Sequence, residues 1–196
     1  MKFKQHKKIV LASGSPRRKE YLERYNLTFR IVVSEIDEEV KDGESPLAYA
    51  MRMSKEKAES VVDGCAANEI VLAADTIVVL HERILGKPAD LSEAIGMLKD
   101  LNGCVHEVIT AYAILHPANN RIIKNYSCTK VRFNQISLEH IRTYAESEEP
   151  LDKAGSYSIQ NTGTFLVDSI EGSYNNVVGL PIEKVIEDFI KHGFIS

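Results

Sequence analysis

Ile9-Val10-Leu11-Ala12-Ser13-Gly14-Ser15-Pro16-Arg17-Arg18 compresses a buried strand, a tight turn, a helix start and two cations into one short segment. Ile9 to Ala12 is an apolar run suited to a central strand, and Ser13-Gly14 lets the backbone turn closely beside whatever binds there. Serine is a favoured N-cap and proline a favoured first helical residue, so Ser15-Pro16 opens a helix. Lys19 to Tyr25 continues it, with apolar positions at Tyr21, Leu22 and Tyr25. A helix N-terminus carries a positive partial charge, which leaves Arg17 and Arg18 where the dipole favours acidic residues. A bound anion would offset that repulsion. Two solvated arginines on an ordinary strand-turn-helix fit this motif equally well by itself.

Working outward, Phe29 to Val33 reads as a second strand, and the acidic run Glu35-Ile36-Asp37-Glu38-Glu39 as a loop after it. Ser45-Pro46 repeats the cap-and-proline start, and Leu47 to Val62 has helical spacing, closed by Asp63-Gly64. Ile70 to Leu80 is the most apolar stretch and reads as a central strand, turned back at His81-Glu82-Arg83. Ser92 is expected to cap a helix to Leu101, ended by Asn102-Gly103. Val105 to Leu115 and Arg121 to Phe133 read as a long antiparallel pair around Pro117-Ala118-Asn119-Asn120. Ser137 opens a helix to about Ser147, Ser156 to Ile170 is strand-like, and Leu180-Pro181 opens the last helix. The alternation of strands, helices and hairpins predicts an α/β protein. Its sheet should be mixed and twisted with flanking helices, in two lobes around a cleft, as one domain over residues 1–196.

Composition narrows the function classes. Lys+Arg 24 against Asp+Glu 28 gives a net charge of −4, which argues against nucleic-acid binding while leaving room for a local basic pocket. Cys65, Cys104 and Cys128 form no CxxC pair and suit a reducing cytoplasm better than a disulfide framework. The basic start Lys2-Phe3-Lys4-Gln5-His6-Lys7-Lys8 resembles a signal n-region, but the apolar run behind it is too short to follow as an h-region. No segment approaches the ~20 apolar residues of a membrane span.

Asp75 is the sharpest anomaly. A carboxylate in Val-Leu-Ala-Ala-Asp-Thr-Ile-Val-Val-Leu interrupts a strand fit for burial on both faces, and burying a charge is costly unless it is paired or metal-bound. A turn-capping Asp or a structural salt bridge is the plainer alternative. Arg17, Arg18, Lys57, Lys87 and Lys153 supply cations around it, each unremarkable alone; a helical lysine such as Lys57 is by default solvated. The acidic run is by default a solvated loop too. Its carboxylates with an Asp could also hold Mg²⁺ through waters and substrate phosphates.

Taken in order, Leu11 to Arg18, Asp37-Glu38, Lys57-Ala58, Ala74-Asp75-Thr76, Gly86-Lys87-Pro88, Asp152-Lys153-Ala154-Gly155, Ile159-Gln160 and Val178-Gly179-Leu180-Pro181 resemble the motifs of the Maf family of nucleoside triphosphate pyrophosphatases. The resemblance runs through nearly the whole chain. It implies a two-lobed α/β fold similar to that of the inosine triphosphate pyrophosphatases, and a cytoplasmic, homodimeric enzyme that takes a small nucleotide substrate. That enzyme would depend on a divalent metal, Mg²⁺ with Mn²⁺ as the alternative, and hydrolyse nucleoside triphosphates to monophosphate and pyrophosphate. On the family pattern Asp75 is the proton acceptor, Ser13, Arg18, Glu38, Lys57, Lys87 and Gln160 line the site, and Lys153 joins the substrate contacts. Glu38 and Asp75 are the candidate metal ligands, and the sequence does not separate that role of Asp75 from orienting the attacking water.

Within the family this chain resembles the subgroup acting on dTTP and UTP, which has a second arginine in the first loop, here Arg17. That subgroup also has Thr after the acidic residue, here Thr76, and Gln in the late strand, here Gln160. Two departures stand beside Gln160: Asn161 where the family has Gly, and Ser156 where it has Ala. Asn tolerates the left-handed conformation Gly would supply, so the turn can be kept. The rival reading is a non-catalytic nucleotide-binding regulator of septum formation; a carboxylate beside a triphosphate speaks against it, since like charges repel.

Overall fold

The computed structural model describes residues 3–119, 121–147 and 149–196. Among them seven strands form one mixed sheet: β1 (Lys8–Leu11), β2 (Phe29–Ile31), β3 (Glu69–Leu80), β4 (Arg83–Leu85), β5 (Val105–His116), β6 (Arg121–Phe133) and β7 (Val167–Glu171). The order is β2-β1-β3-β5-β6-β7, with β4 paired to β3. The flanking helices are α1 (Pro16–Arg24), α2 (Pro46–Glu59), α3 (Leu91–Leu101), α4 (Leu138–Ala145), α5 (Tyr174–Val178) and α6 (Ile182–Lys191). The expected α/β class with a mixed sheet is what the chain adopts: β1 runs parallel to β2 and β3, whereas β3/β4 and β6/β7 are antiparallel. No described helix is long and apolar enough to cross a membrane.

The chain divides into two compact units. The first comprises residues 1–75, 110–126 and 179–196, and the second residues 76–109 and 127–178. In the first, Val10, Ala12, Val71, Ala73, Ala113 and Leu115 from the strands pack against Ala58 and Val61. Central placement of β1 between two parallel partners explains why Ile9 to Ala12 is buried without alternation. In the second, Val78, Leu80, Val131 and Phe133 pack with Leu98, Leu101, Ile141 and Tyr144.

Four local expectations are corrected. Ser15 stands at the N-cap of α1, but its side chain makes no capping bond; instead Ser13 Oγ accepts the Ser15 N–H at 3.2 Å. Asp90, not Ser92, caps α3, its carboxylate accepting the Glu93 N–H at 2.9 Å. α2 ends at Glu59 and gives way to a 3₁₀ turn over Val62–Gly64, consistent with the poor fit of consecutive β-branched residues to a helix. The stretch from Ser156 is no strand until Val167, because Gly155 (φ 67°), Ser156 (φ 58°) and Asn161 (φ 51°) are left-handed and break an extended backbone. The turn after β5 is a 3₁₀ turn over Pro117–Asn119, while Asn120, like Lys2, lies outside the described residues.

His106, 2% exposed on β5, is the one buried histidine among the described residues. Its Nε2 lies 2.8 Å from Tyr157 Oη, its ring meets Phe133 edge-on, and Nδ1 finds no partner among the described residues. Burial lowers its pKa to about 4. The unfolded chain therefore binds a proton near pH 6.5 that the native state refuses until about pH 4. Stability from this group is fully present above pH 6.5 and falls as pH drops to 4, by roughly 3 kcal/mol in all. Denaturant titrations of wild type and His106→Gln between pH 7.5 and 4 should converge as pH falls; parallel curves would remove His106 as the source.

Candidate active site

Three charged side chains meet where α2 faces β3. Lys57 Nζ donates to Asp75 Oδ1 at 2.6 Å and lies 2.8 Å from Glu38 Oε1. Lys57 and Asp75 are 9% and 6% exposed, so the default reading of Lys57 as a solvated helical lysine is corrected. Its face of α2 carries Tyr49, Ala50, Met53 and Ala58, all buried, which draws the lysine stem inward and leaves only the ammonium to reach a carboxylate. Glu35, Asp37 and Glu39 are exposed, as a solvated loop would have them; Glu38 alone turns its carboxylate to Lys57 among the ion pairs described.

The β1–α1 turn supplies the cations. Arg18 Nη1 donates to Ser13 Oγ at 3.1 Å and Arg18 Nε to the Gly179 carbonyl at 2.9 Å. Loss of hydration pulls the Arg18 pKa below its ordinary value; the charge of Asp75 opposes that pull, Arg17 adds to it and Glu38 opposes it. The sequence-derived residues Ser13, Arg17, Arg18, Glu38, Lys57 and Asp75 are thus one electrostatically coupled group. Tyr49 belongs with them and was not legible as a site residue. Its hydroxyl donates to the Glu38 carbonyl at 2.8 Å, and burial followed by the charges of Asp75 and Glu38 raises its pKa to about 12. Tyr49, Met53 and Lys57 recur every fourth residue, which marks a shared helix face but not a site.

The remaining candidates stand in the second unit. Thr76 follows Asp75 along β3, where strand alternation sends the two side chains to opposite faces. Lys87 is exposed in the loop after β4, and the Gly86 carbonyl of that loop accepts the Gly155 N–H at 3.0 Å, which sets it beside the Lys153 turn. Lys153 Nζ donates to the Glu149 carbonyl at 2.6 Å and to Asp152 Oδ1 at 2.5 Å. Gln160 is half-buried in a braced loop: its N–H donates to Ser158 Oγ at 3.0 Å, and the Ser158 N–H to Tyr144 Oη at 3.1 Å. A Cβ at Gly163 would stand 2.2 Å from the Ser158 carbonyl oxygen, so only glycine lets this loop close. Asn161 takes the left-handed conformation expected of it.

The family model described as Maf-like protein matches residues 8–191. This chain belongs to the Maf-like family. A relative named dTTP/UTP pyrophosphatase from Bacillus cereus (strain G9842) is 47% identical over 182 residues, covering 93% of this chain and 94% of its own. One of the same name from Bacillus anthracis is 46% identical with the same coverage. Among solved structures, a HAM1 protein from Coxiella burnetii is similar over 65% of this chain and 73% of its own, with 18% identity and a TM-score of 0.43. In this Maf-like chain the matched span holds every site residue described above.

The donor set can be tested against a divalent metal. No cluster of three or more His, Cys, Asp or Glu residues poised for a metal exists among the described residues. Glu38 and Asp75 nonetheless bring two carboxylates to a single ammonium, both oxygen donors and close enough to share one cation. That set fits Mg²⁺, which keeps several waters and is held by one or two carboxylates together with substrate phosphates.

Proposed function

We propose that this chain hydrolyses nucleoside triphosphates, dTTP and UTP foremost, to the monophosphate and pyrophosphate. The observation that carries the reading is the shared Lys57 ammonium between Asp75 and Glu38, coupled to Arg18 on an adjacent strand-turn-helix. The names and high identity of the relatives support the substrate class. Arg17, Arg18 and Lys57 of the first unit bind the triphosphate, with Ser13 fixing Arg18, and Lys87 and Lys153 are the second unit's own phosphate-binding candidates. Water oxygen bonds to phosphorus as the P–O bond between the α- and β-phosphates breaks, and Asp75 accepts the water proton. Glu38 and Asp75 hold Mg²⁺ or Mn²⁺, which when bound neutralises charge on the phosphate oxygens. Gln160 reads the base: it donates and accepts at once, matching the adjacent carbonyl and N–H of uracil or thymine. We further propose a cytoplasmic homodimer, on the family resemblance and three free thiols.

The test incubates the protein with dTTP, UTP, ATP, GTP and 7-methyl-GTP, with and without Mg²⁺, and separates the products. Monophosphate with pyrophosphate is expected, with dTTP and UTP turned over fastest. Orthophosphate with a diphosphate would overturn the reaction, and saturable binding without turnover would favour a regulator. Gln160→Ala should lower the ratio of UTP to GTP kcat/KM by about tenfold or more, since a site built around a hydrogen bond discriminates by it. An unchanged ratio would remove Gln160 from the base pocket.

A further inference from the structure

The segment from residue 32 to 44 has no regular structure and carries Glu35, Asp37, Glu38, Glu39, Asp42 and Glu44. Like charges at this density favour a loop splayed into solvent, yet Glu38 Oε1 lies 2.8 Å from Lys57 Nζ. Something must hold the backbone in. Tyr49 Oη donates to the Glu38 carbonyl at 2.8 Å, and Arg52 Nη2 donates to the Glu39 carbonyl at 2.9 Å. The carbonyls of two successive peptides, those of Glu38 and Glu39, are therefore pinned directly after the Glu38 side chain. Arg52 also grips Glu44 with both arms of its fork, Nε to Oε1 at 2.7 Å and Nη2 to Oε2 at 2.6 Å.

Exposure separates this pair from an ordinary surface ion pair. The Arg52 and Glu44 side chains are 17% and 11% exposed, and the Arg52 guanidinium lies over the Tyr49 ring at 5.4 Å. Bidentate, partly desolvated pairs order what they bind, whereas exposed ones contribute little. The far end of the loop is closed by the Lys41 N–H on Glu44 Oε2 at 3.2 Å and the Glu44 N–H on the Lys41 carbonyl at 3.0 Å. α2 thus acts at two levels: Lys57 meets the Glu38 carboxylate, while Tyr49 and Arg52 fix the backbone that delivers it.

We propose that Tyr49 and Arg52 are positioning residues that set the affinity of this protein for its divalent cation by clamping the acidic loop. The proposal deepens the metal-dependent reading above and rests on it. The clamp does not touch the reacting atoms, so its loss should weaken metal binding, and activity lost at low metal should return as metal is raised.

The experiment titrates Mn²⁺ alone into the purified protein, reading free Mn²⁺ from its paramagnetic resonance signal, beside initial rates at graded Mn²⁺ and a thermal melt. Tyr49→Phe, Arg52→Gln and Glu44→Gln should each raise the Mn²⁺ dissociation constant about tenfold or more, the scale seen when partners of metal ligands are removed. Arg52→Lys keeps charge but cannot fork, and should behave like Arg52→Gln. Glu44→Gln opens the clamp from the loop side with α2 intact, which keeps the test alive if a helix variant fails to fold. Dissociation constants within twofold of wild type in all of these, with Glu38→Gln weakened, would overturn the clamp alone. A wild type that binds Mn²⁺ no better than Glu38→Gln would overturn the metal reading and the clamp with it.

Discussion

Asp75→Asn should lower kcat by 10²-fold or more while leaving KM for dTTP unchanged or smaller, the usual scale for losing a group that moves a proton in the transition state. Asparagine keeps the side-chain shape, and its Oδ1 can still accept from Lys57 Nζ where Asp75 Oδ1 now does at 2.6 Å. What it cannot do is take a proton from water or bring a second negative charge to a metal. Lys57 also retains Glu38 at 2.8 Å, so no buried cation is stranded and the melting temperature should move by only a few degrees. At saturating metal, with Glu38 still in place, removing a carboxylate from beside a triphosphate relieves like-charge repulsion, which is why affinity should hold or rise. Initial-rate kinetics with a matching calorimetric titration of a non-hydrolysable analogue would decide it. Turnover within about threefold of wild type would reduce Asp75 to the structural salt bridge that its sequence context equally allows.

What could be read in the sequence follows from how locally each feature is determined. β1, the start of α2 and the core strand β3 depend on near-neighbour chemistry: an apolar run, a Ser-Pro cap, a Val/Ile-rich stretch. Ser45 does cap α2, accepting the Ala48 N–H at 3.3 Å. Asp75 was visible for the same reason, as a carboxylate with no business in a doubly buried strand. Lys57 entered through the family resemblance alone, because nothing local distinguishes a lysine that faces solvent from one whose stem completes a buried helix face. Only the partner on β3 decides, and that is a tertiary fact. Tyr49 and Arg52 were hidden further still, since their targets are backbone carbonyls and carry no residue signature. The stretch from Ser156 to Leu166 misled for the opposite reason: its β-compatible side chains are overruled by left-handed backbone at Gly155, Ser156 and Asn161. Asn161 signalled that conformation and Ser156 did not, because serine rarely adopts it.

Lys57→Met separates the two jobs of the shared ammonium. Methionine keeps an unbranched apolar stem against the buried face of α2, so the packing of Met53 and Ala58 is largely preserved and only the charge is lost. Asp75, 6% exposed, is then left across from Glu38 with its nearest counter-charge gone. Breaking a buried pair from one side costs about 3 kcal/mol or more, because the remaining charge stays desolvated. For a chain of 196 residues that corresponds to a fall in Tm of roughly 6–12 °C. Activity should suffer more. An ammonium aimed at developing phosphate charge is worth on the order of 10²-fold or more in rate, and it acts on the triphosphate rather than the base. The loss in kcat/KM should therefore be the same factor for dTTP, UTP and GTP. The double variant Lys57→Met/Asp75→Asn resolves the causes: with the buried carboxylate gone and only the half-exposed Glu38 left without its ammonium, most of the lost stability should return, while activity stays absent. Restored stability with restored turnover would mean that neither residue handles substrate. A Lys57→Met protein that keeps wild-type kcat/KM on all three nucleotides would return Lys57 to an ordinary core ion pair.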